Sequence, residues 1–391
     1  MSQQLISRSP DLKRLQDEGY EIEIRSGHLL IHSVPYVNSR REVALGTLVS
    51  VLSLSGEKTI RPGCHICYFI GESPCTSQGD EIAQIKHQSI RQVLAVDIEV
   101  DHSFSNKPAD GYEDYYRKIT RYIEIISSHA AAIDPTSTPC TFKVIDLGQG
   151  ASPFNYMDTA SSRAGITAVS MRLASPKIAI IGLGGTGSYI LDLVAKTPVG
   201  EIHLYDGDIF VQHNAFRAPG AASIDDLSAK PNKAEYFKSI YSRMHRGIVA
   251  HEFYLTEESL DFTGFSFVFI CIDKGQIKAS IIEHLKERNI SFIDVGIGVQ
   301  FLEESQQLLG ICRVTTGSSS KSDHIERRIN FNDTDDNAYV RNIQIADLNA
   351  LNASLAVIKW KKLCGFYQDL EGEHDSTYSI NVNQLTSDEL A

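Results

Sequence analysis

Residues 177–196 read KIAIIGLGGTGSYILDLVAK. Four glycines, Gly182, Gly184, Gly185 and Gly187, separate an apolar run from an amphipathic stretch. Glycines let a chain turn tightly and let its backbone approach a phosphate. A helix that starts beyond them presents free N–H groups at the positive end of its dipole. Asp206 closes the next apolar run, 24 residues after Gly182, where an acid can grip ribose hydroxyls. Strand, glycine turn, helix, strand and acid in that order predict a nucleotide site. The competing reading is a close helix–strand crossing that needs glycines and binds nothing.

The following segments bear on which nucleotide is meant. YDGDIFVQHNAFR supplies Asp206, Asp208, Asn214 and Arg217, KPNKAE supplies Lys233 at a helix start, and FICID places Asp273 just past a strand. All fall where one sheet would expose its carboxyl edge, the place where ligands collect in such folds. Hydride transfer requires neither an Arg–Lys pair nor an extra carboxylate there. A triphosphate does, because cations hold its phosphates and a carboxylate holds Mg²⁺. Asp208 reads equally as a turn residue, and Lys233 as a solvated lysine at a helix start.

Taken together, GLGGTG, DGDIFVQHNAFR, KPNKAE and CID resemble the motifs of the ThiF/MoeB and ubiquitin-activating family of adenylyltransferases, over roughly residues 160–370. The resemblance implies ATP and Mg²⁺ as cofactors. Asp206 would bind ribose, with Asp208 beside it. Asn214, Arg217 and Lys233 would contact phosphates, Asp273 would bind Mg²⁺, and the backbone at Gly182, Gly184, Gly185 and Gly187 would cradle the nucleotide. Arg217, Lys233 and Asp273 would be the catalytic set. The implied reaction is adenylation of the C-terminal glycine of a ubiquitin-like protein, with a conjugating enzyme as a further partner. The family also implies a homodimer, with Arg163 as a candidate to reach across it. Other readings stay open: a catalytically silent scaffold, an adenylyltransferase acting on a small molecule or sulfur carrier, a tRNA-modifying relative, which the acidic net charge disfavours, and an NAD(P)-dependent oxidoreductase.

Two features depart from the family. Many relatives carry paired Cys-x-x-Cys motifs that bind zinc. Here the sole such spacing is Cys64–Cys67, in an apolar segment, so no zinc is expected. Relatives that form a thioester place a cysteine before the closing helix, but residues 317–342 contain none. Cys271 and Cys312 fall in expected core strands. The candidate acyl acceptors are Cys75, read as exposed in a turn, and the hydroxyls of Ser318, Ser319, Ser320, Ser322 and Thr334. The sequence identifies no base to activate a hydroxyl.

These residues require a scaffold. The chain has 391 residues, 42% of them hydrophobic, which suits two domains. Residues 1–150 read as an α+β domain: a hairpin at 21–35 turning at Ser-Gly, a helix or strand in REVALGTLVSVLSL, a strand in CHICYFI, a long helix from YEDYYRKIT, and a strand in TFKVIDLG. Residues 151–391 read as a Rossmann-like α/β domain. Its mainly parallel sheet has helices on both faces, an antiparallel edge after residue 290, and a closing helix stopped by Gly365. Asp347, Asn349 and Asn352 give that helix a polar periodicity suited to a dimer interface. A formal charge of −12 disfavours nucleic acid as the main partner. No membrane span or signal peptide is read, and a cytoplasmic location is expected.

In a thermal-shift comparison, ATP·Mg²⁺ is expected to raise the melting midpoint and NAD to leave it unchanged. Stabilisation by NAD alone would restore the oxidoreductase reading.

Overall fold

The computed structural model describes residues 2–145, 152–331 and 343–390. The chain separates into two compact units, Met1–Ile145 and Asp146–Ala391.

The first unit opens with two short helices, α1 (Ser2–Arg8) and α2 (Pro10–Asp17), which sequence reading did not anticipate. Strands β1 (Glu21–Arg25) and β2 (His28–Val37) follow. They pair as the expected hairpin, and its turn residues Ser26 and Gly27 both take positive φ, at 46° and 75°. The ambiguous stretch after them is strand β3 (Val43–Val51). A small hairpin, β4 (Leu54–Ser55) and β5 (Lys58–Thr59), leads to β6 (Ile66–Ile70). Next come β7 (Lys86–Gln88), the β8 (Gln92–Ala95) and β9 (Ile98–Val100) hairpin, and β10 (His102–Ser105). The main sheet has the order β1-β2-β3-β6-β10-β7. The long helix α3 (Tyr115–Ile133) starts where the Asp114 carboxylate accepts the Arg117 N–H, at 2.7 Å. Its buried residues Tyr115, Ile119, Tyr122 and Ile126 recur at helical spacing and pack with Leu29, Ile31 and Phe69 of the sheet. The strand expected in TFKVIDLG is not formed over residues 141–145. Its remaining residues lie outside the described ones.

The second unit holds two short helices, α4 (Thr159–Arg163) and α5 (Thr167–Ser170), before the sheet. Strand β11 (Lys177–Ile181) and helix α6 (Gly185–Val194) flank the glycine turn. Then come β12 (Glu201–Tyr205), α7 (Gln212–Ala215), α8 (Ile224–Ala229), α9 (Lys233–Tyr241), β13 (Ile248–His251), β14 (Phe267–Ile270) and α10 (Gly275–Glu287). A long hairpin, β15 (Ser291–Leu302) with β16 (Gln307–Gly317), is followed by α11 (Ile325–Arg328), α12 (Ala346–Leu363), β17 (Asp375–Ser379) and β18 (Gln384–Asp388). The eight-stranded sheet has the order β13-β12-β11-β14-β15-β16-β17-β18. It is parallel from β13 to β15 and antiparallel beyond. Sequence reading missed β13, which is only four residues long, and the polar β17–β18 hairpin, which carries no apolar alternation. Alternate residues of one strand enter opposite cores. Ile178 and Ile180 join Ile190, Leu191 and Trp360, whereas Ala179 and Ile181 join Ile281, Ile282 and Leu285. That is why these strands read as continuous apolar runs.

Helix α6 crosses β11 so closely that a Cβ on Gly187 would lie 1.9 Å from the carbonyl oxygen of Gly182. Gly182 itself sits at φ +88°. Gly187→Ala is therefore expected to cost ~3 kcal/mol or more, since backbone must move to admit the methyl. Urea unfolding monitored by circular dichroism reads this directly, and an unchanged midpoint would refute the packing argument.

Candidate nucleotide-binding cleft

The carboxyl ends of β11, β12 and β14 open into a cleft of about 650 Å³ lined by Gly182, Gly184, Gly185, Asp206, Asp208, Arg217, Lys233 and Asp273, among others. Eight of the nucleotide-site residues expected from sequence thus line one cavity. Packing alone requires some of the glycines. A Cβ on Gly185 would lie 2.0 Å from Asn349 Nδ2 of helix α12. Gly184 differs, because nothing within 4 Å would meet its Cβ, so the space beside it is free for a ligand at the N-terminus of α6.

Asp206 is buried at the end of β12. Its Oδ2 accepts the Leu183 N–H at 2.6 Å and its Oδ1 the Asp208 N–H at 2.9 Å. The carboxylate therefore ties the glycine turn to the next loop, and burial pushes its pKa up from the usual carboxylate value. Each oxygen keeps a lone pair for a hydroxyl donor. Asn232 fixes the other side of this loop, donating to the Asp206 carbonyl at 2.9 Å while capping α9 through the Ala234 N–H at 2.7 Å.

Lys233 is 6% exposed, and its ammonium lies 2.7 Å from Asp208 Oδ2. The other Asp208 oxygen accepts the Tyr254 hydroxyl. Burial raises the Asp208 carboxyl, but the hydrogen bonds from Lys233 and Tyr254 outweigh it and leave the group lowered. Asp208 is more than a turn residue, since it holds the lysine in place. Asn214 is buried. Its Oδ1 accepts the Val211 N–H at 2.9 Å, while its Nδ2 is a buried donor with no acceptor among the described residues. An open cradle at Gly184 and a lysine with one counter-ion fit an anionic phosphate chain, whereas Asn214 and Gly187, expected in the site, do not line the cleft. Asp273, exposed just after β14, faces the same cleft. No three His, Cys, Asp or Glu side chains converge on a metal site among the described residues. A Mg²⁺ would thus rely on phosphate oxygens with one carboxylate, a usual arrangement for this ion.

Sequence reading missed several lining residues. Phe253 and Tyr254, 46% and 55% exposed, form an aromatic wall after β13. The string HEFYLT was their only signal. Asn349 accepts the Thr186 hydroxyl at 3.0 Å and donates to the Arg217 carbonyl at 3.4 Å. Asn352 donates to the Gly296 carbonyl at 3.1 Å. Both asparagines are fully buried, so they serve the cleft from within the chain. They lend no support to the dimer interface for which their periodicity was read; of that set only Asp347 is exposed.

The expected acyl acceptors fare differently. Cys75 is 1% exposed and donates to the Ser73 carbonyl. Its thiol is raised by burial, which overturns its reading as an exposed turn thiol. Cys271 stands just past β14, half-buried in the cleft wall rather than in a core strand, and burial raises it strongly. Cys312 is buried and pushed up to about 11. Ser318 does have a histidine neighbour, with His374 Nε2 3.3 Å from its Oγ. However, Ser318 follows the end of β16 that pairs with the start of β15 (Gly317 opposite Phe292), while Arg313 at mid-strand lines the cleft. Five extended residues separate them, about 16 Å. Ser319 and Ser320, also beyond that end, are exposed, and Ser322 is half-buried. Thr334 lies outside the described residues. Arg163 is exposed at the end of α4 and does not line the cleft.

A doubly covered, mainly parallel sheet with a glycine turn, paired cations and acids at one edge defines a nucleotide-binding adenylation-type domain. Comparison with known proteins agrees: residues 162–320 match the ThiF family, and residues 10–159 match a domain of unknown function, DUF6791. Residues 162–320 therefore form a ThiF-family domain, with a DUF6791 domain before it. A curated relative, the tRNA threonylcarbamoyladenosine dehydratase of Haemophilus influenzae, is 31% identical over 129 residues, 32% of this chain and 49% of that protein. The chain thus spans about half the length of the curated relative it matches. Similar solved structures include E. coli MccB bound to MccA-N7isoASN, at 17% identity over 59% of this chain and 68% of that one, with a TM-score of 0.45. PaaA is similar at 19% identity over 57% of this chain and 75% of that one, with a TM-score of 0.44. ThiF-family membership implies ATP binding. No helix among the described residues is long and apolar enough to cross a membrane.

Asp208→Asn should lower the melting midpoint of the nucleotide-free protein, because buried Lys233 loses its counter-charge. ATP should then raise the midpoint more in the variant than in the wild type, as phosphate replaces the lost carboxylate. A smaller ATP response in the variant would show that Asp208, not Lys233, is the ligand.

Proposed function

We propose that the 152–390 unit activates a carboxylate by adenylation. A substrate carboxylate oxygen attacks the α-phosphorus of ATP, the bond to the β-phosphate bridge oxygen breaks, and pyrophosphate leaves. The observation that carries this is the gathering of the Gly184 cradle, Arg217, Lys233 and Asp273 on one cleft. Arg217 and Lys233 would neutralise the phosphates. Asp273 would hold Mg²⁺, whose charge offsets the negative charge that develops on the leaving group. Phe253 and Tyr254 would flank the base. No protein nucleophile is required, since positioning and charge neutralisation suffice.

The curated relative is named for a threonylcarbamoyl nucleoside of tRNA, which contains an amino-acid carboxylate. That likeness favours an acid carried on a small molecule or carrier as the substrate. A second reading, the C-terminal glycine of a ubiquitin-like protein, is favoured by a different observation. Beyond Asp294, β15 pairs with β16 alone. Gly296 is taken by Asn352, but the backbone edge of cleft-lining Ile297 to Val299 has no strand partner on that side among the described residues and would accept an extended peptide.

Product analysis with labelled ATP tests the reaction class. AMP and pyrophosphate are expected, with ADP and phosphate excluded. Asp273→Asn should reduce turnover at least ~100-fold while nucleotide binding persists, as befits a group acting mainly in the transition state. ADP as the product, or full activity in that variant, would sink the assignment. Pyrophosphate exchange driven by threonylcarbamoyladenosine or by a small protein ending in glycine separates the two substrate readings.

A further inference from the structure

One charge cluster in the cleft lies outside the set of residues assigned above to the nucleotide. Asp294 in β15 is fully buried between two cations: Lys278 Nζ lies 3.0 Å from its Oδ1 and Arg313 Nη2 2.6 Å from its Oδ2. Lys278 comes from the first turn of α10 and is 5% exposed. Arg313 comes from β16. Two cations share one carboxylate, so the cluster carries one surplus positive charge inside a chain of formal charge −12. Cations withdrawn from water are costly unless matched, and a surplus one lining a cleft suits an incoming anion.

The arginine is held in a set orientation. Its Nη1 donates to the Thr315 hydroxyl, which in turn donates to Asp375 Oδ1 of β17 at 2.6 Å. Asp294 and Thr315 thus engage two of the five guanidinium N–H groups, while the side chain remains 22% exposed and lines the cleft. Bare backbone gives it room, because a Cβ on Gly296 would lie 2.9 Å from Arg313 Nη2. Gly298, which also lines the cleft, is exposed. A planar fork with N–H groups that no described residue engages, beside side-chain-free backbone, matches a carboxylate in both charge and shape.

We propose that Arg313, backed by Lys278, is the specificity-determining residue of the cleft, and that it binds the carboxylate of the acid substrate beside Gly296 and Gly298. This deepens the adenylation reading and rests on it for the fate of that carboxylate, but the binding step can be tested alone. The probes are N-acetylglycine as the acid, N-acetylglycinamide with NaCl at matched ionic strength as its uncharged counterpart, and a non-hydrolysable ATP analogue with Mg²⁺. Each is titrated against the full chain while the melting midpoint is followed. The acid should stabilise the wild type more than the amide does. Arg313→Gln should weaken the apparent affinity for the acid about tenfold, as expected on losing a charge-assisted fork, and leave the response to the ATP analogue within about twofold. Arg313→Lys should recover only part of the acid response. Should Arg313→Gln fail to fold, Arg313→Met, which keeps the unbranched stem and leaves Lys278 paired with Asp294, asks the same question. Equal responses to acid and amide in the wild type would overturn the proposal, as would an acid preference that survives in Arg313→Gln. A parallel loss of the ATP-analogue response would also overturn it, by making Arg313 part of the nucleotide site. Absence of any ATP-analogue response in the wild type would count against adenylation instead, while the acid-to-amide comparison stays readable in nucleotide-free protein.

Discussion

Everything at the cleft depends on how closely helix α6 lies against its neighbours. The carbonyl of Gly182 and the amide of Asn349 occupy the space that side chains on Gly187 and Gly185 would fill. Because those side chains are missing, the N-terminus of α6 comes down onto the end of β11, and α12 packs directly over the turn. Asn349 then links the turn, through Thr186, to the loop that carries Arg217. One steric constraint thereby fixes three segments distant in sequence. The same glycines also leave Gly184 open, so the demands of packing and of ligand approach coincide in one short stretch.

Electrostatics follows a common pattern across the cleft. Lys233 is held by Asp208, and Lys278 and Arg313 by Asp294. Each cation reaches its place already paired, which limits the cost of holding it out of water. An incoming anion then meets charges whose geometry is set beforehand and need not be reorganised. Asp206 works differently, accepting two backbone N–H groups at the junction of two loops. It is as much a structural tie as a candidate ribose partner, and its raised pKa reflects burial.

The first unit is built on another principle. Its core contains Lys118, 1% exposed, whose ammonium donates to Ser50 Oγ and to the carbonyls of Cys64 and Ile66 at 2.8–2.9 Å. Three acceptors match the three ammonium protons, so the lysine staples α3 to β3 and to the segment entering β6. Cys67 is buried in β6 while Cys64 is exposed before it, so the two thiols do not share an environment.

The sequence by itself determined what periodicity and local chemistry encode. The parallel strands other than short β13, the glycine turn, the Gly365 stop of the closing helix and the acids and cations that follow at set distances were legible because each is a local signal or a fixed spacing. Residues whose roles depend on distant partners were not. Asn349 and Asn352 looked like a polar helix face until the fold buried them against Gly185 and Gly296. Cys75 looked like an exposed turn cysteine, but bridges to Val37 and Glu81 cover it. Arg313 and Asp294 lie on strands that pair as neighbours, yet nothing within either segment announces that Asp294 also holds a buried lysine from α10. Burial, and the partner that offsets its cost, are properties of segments brought together from far apart along the chain, and only the tertiary structure decides them.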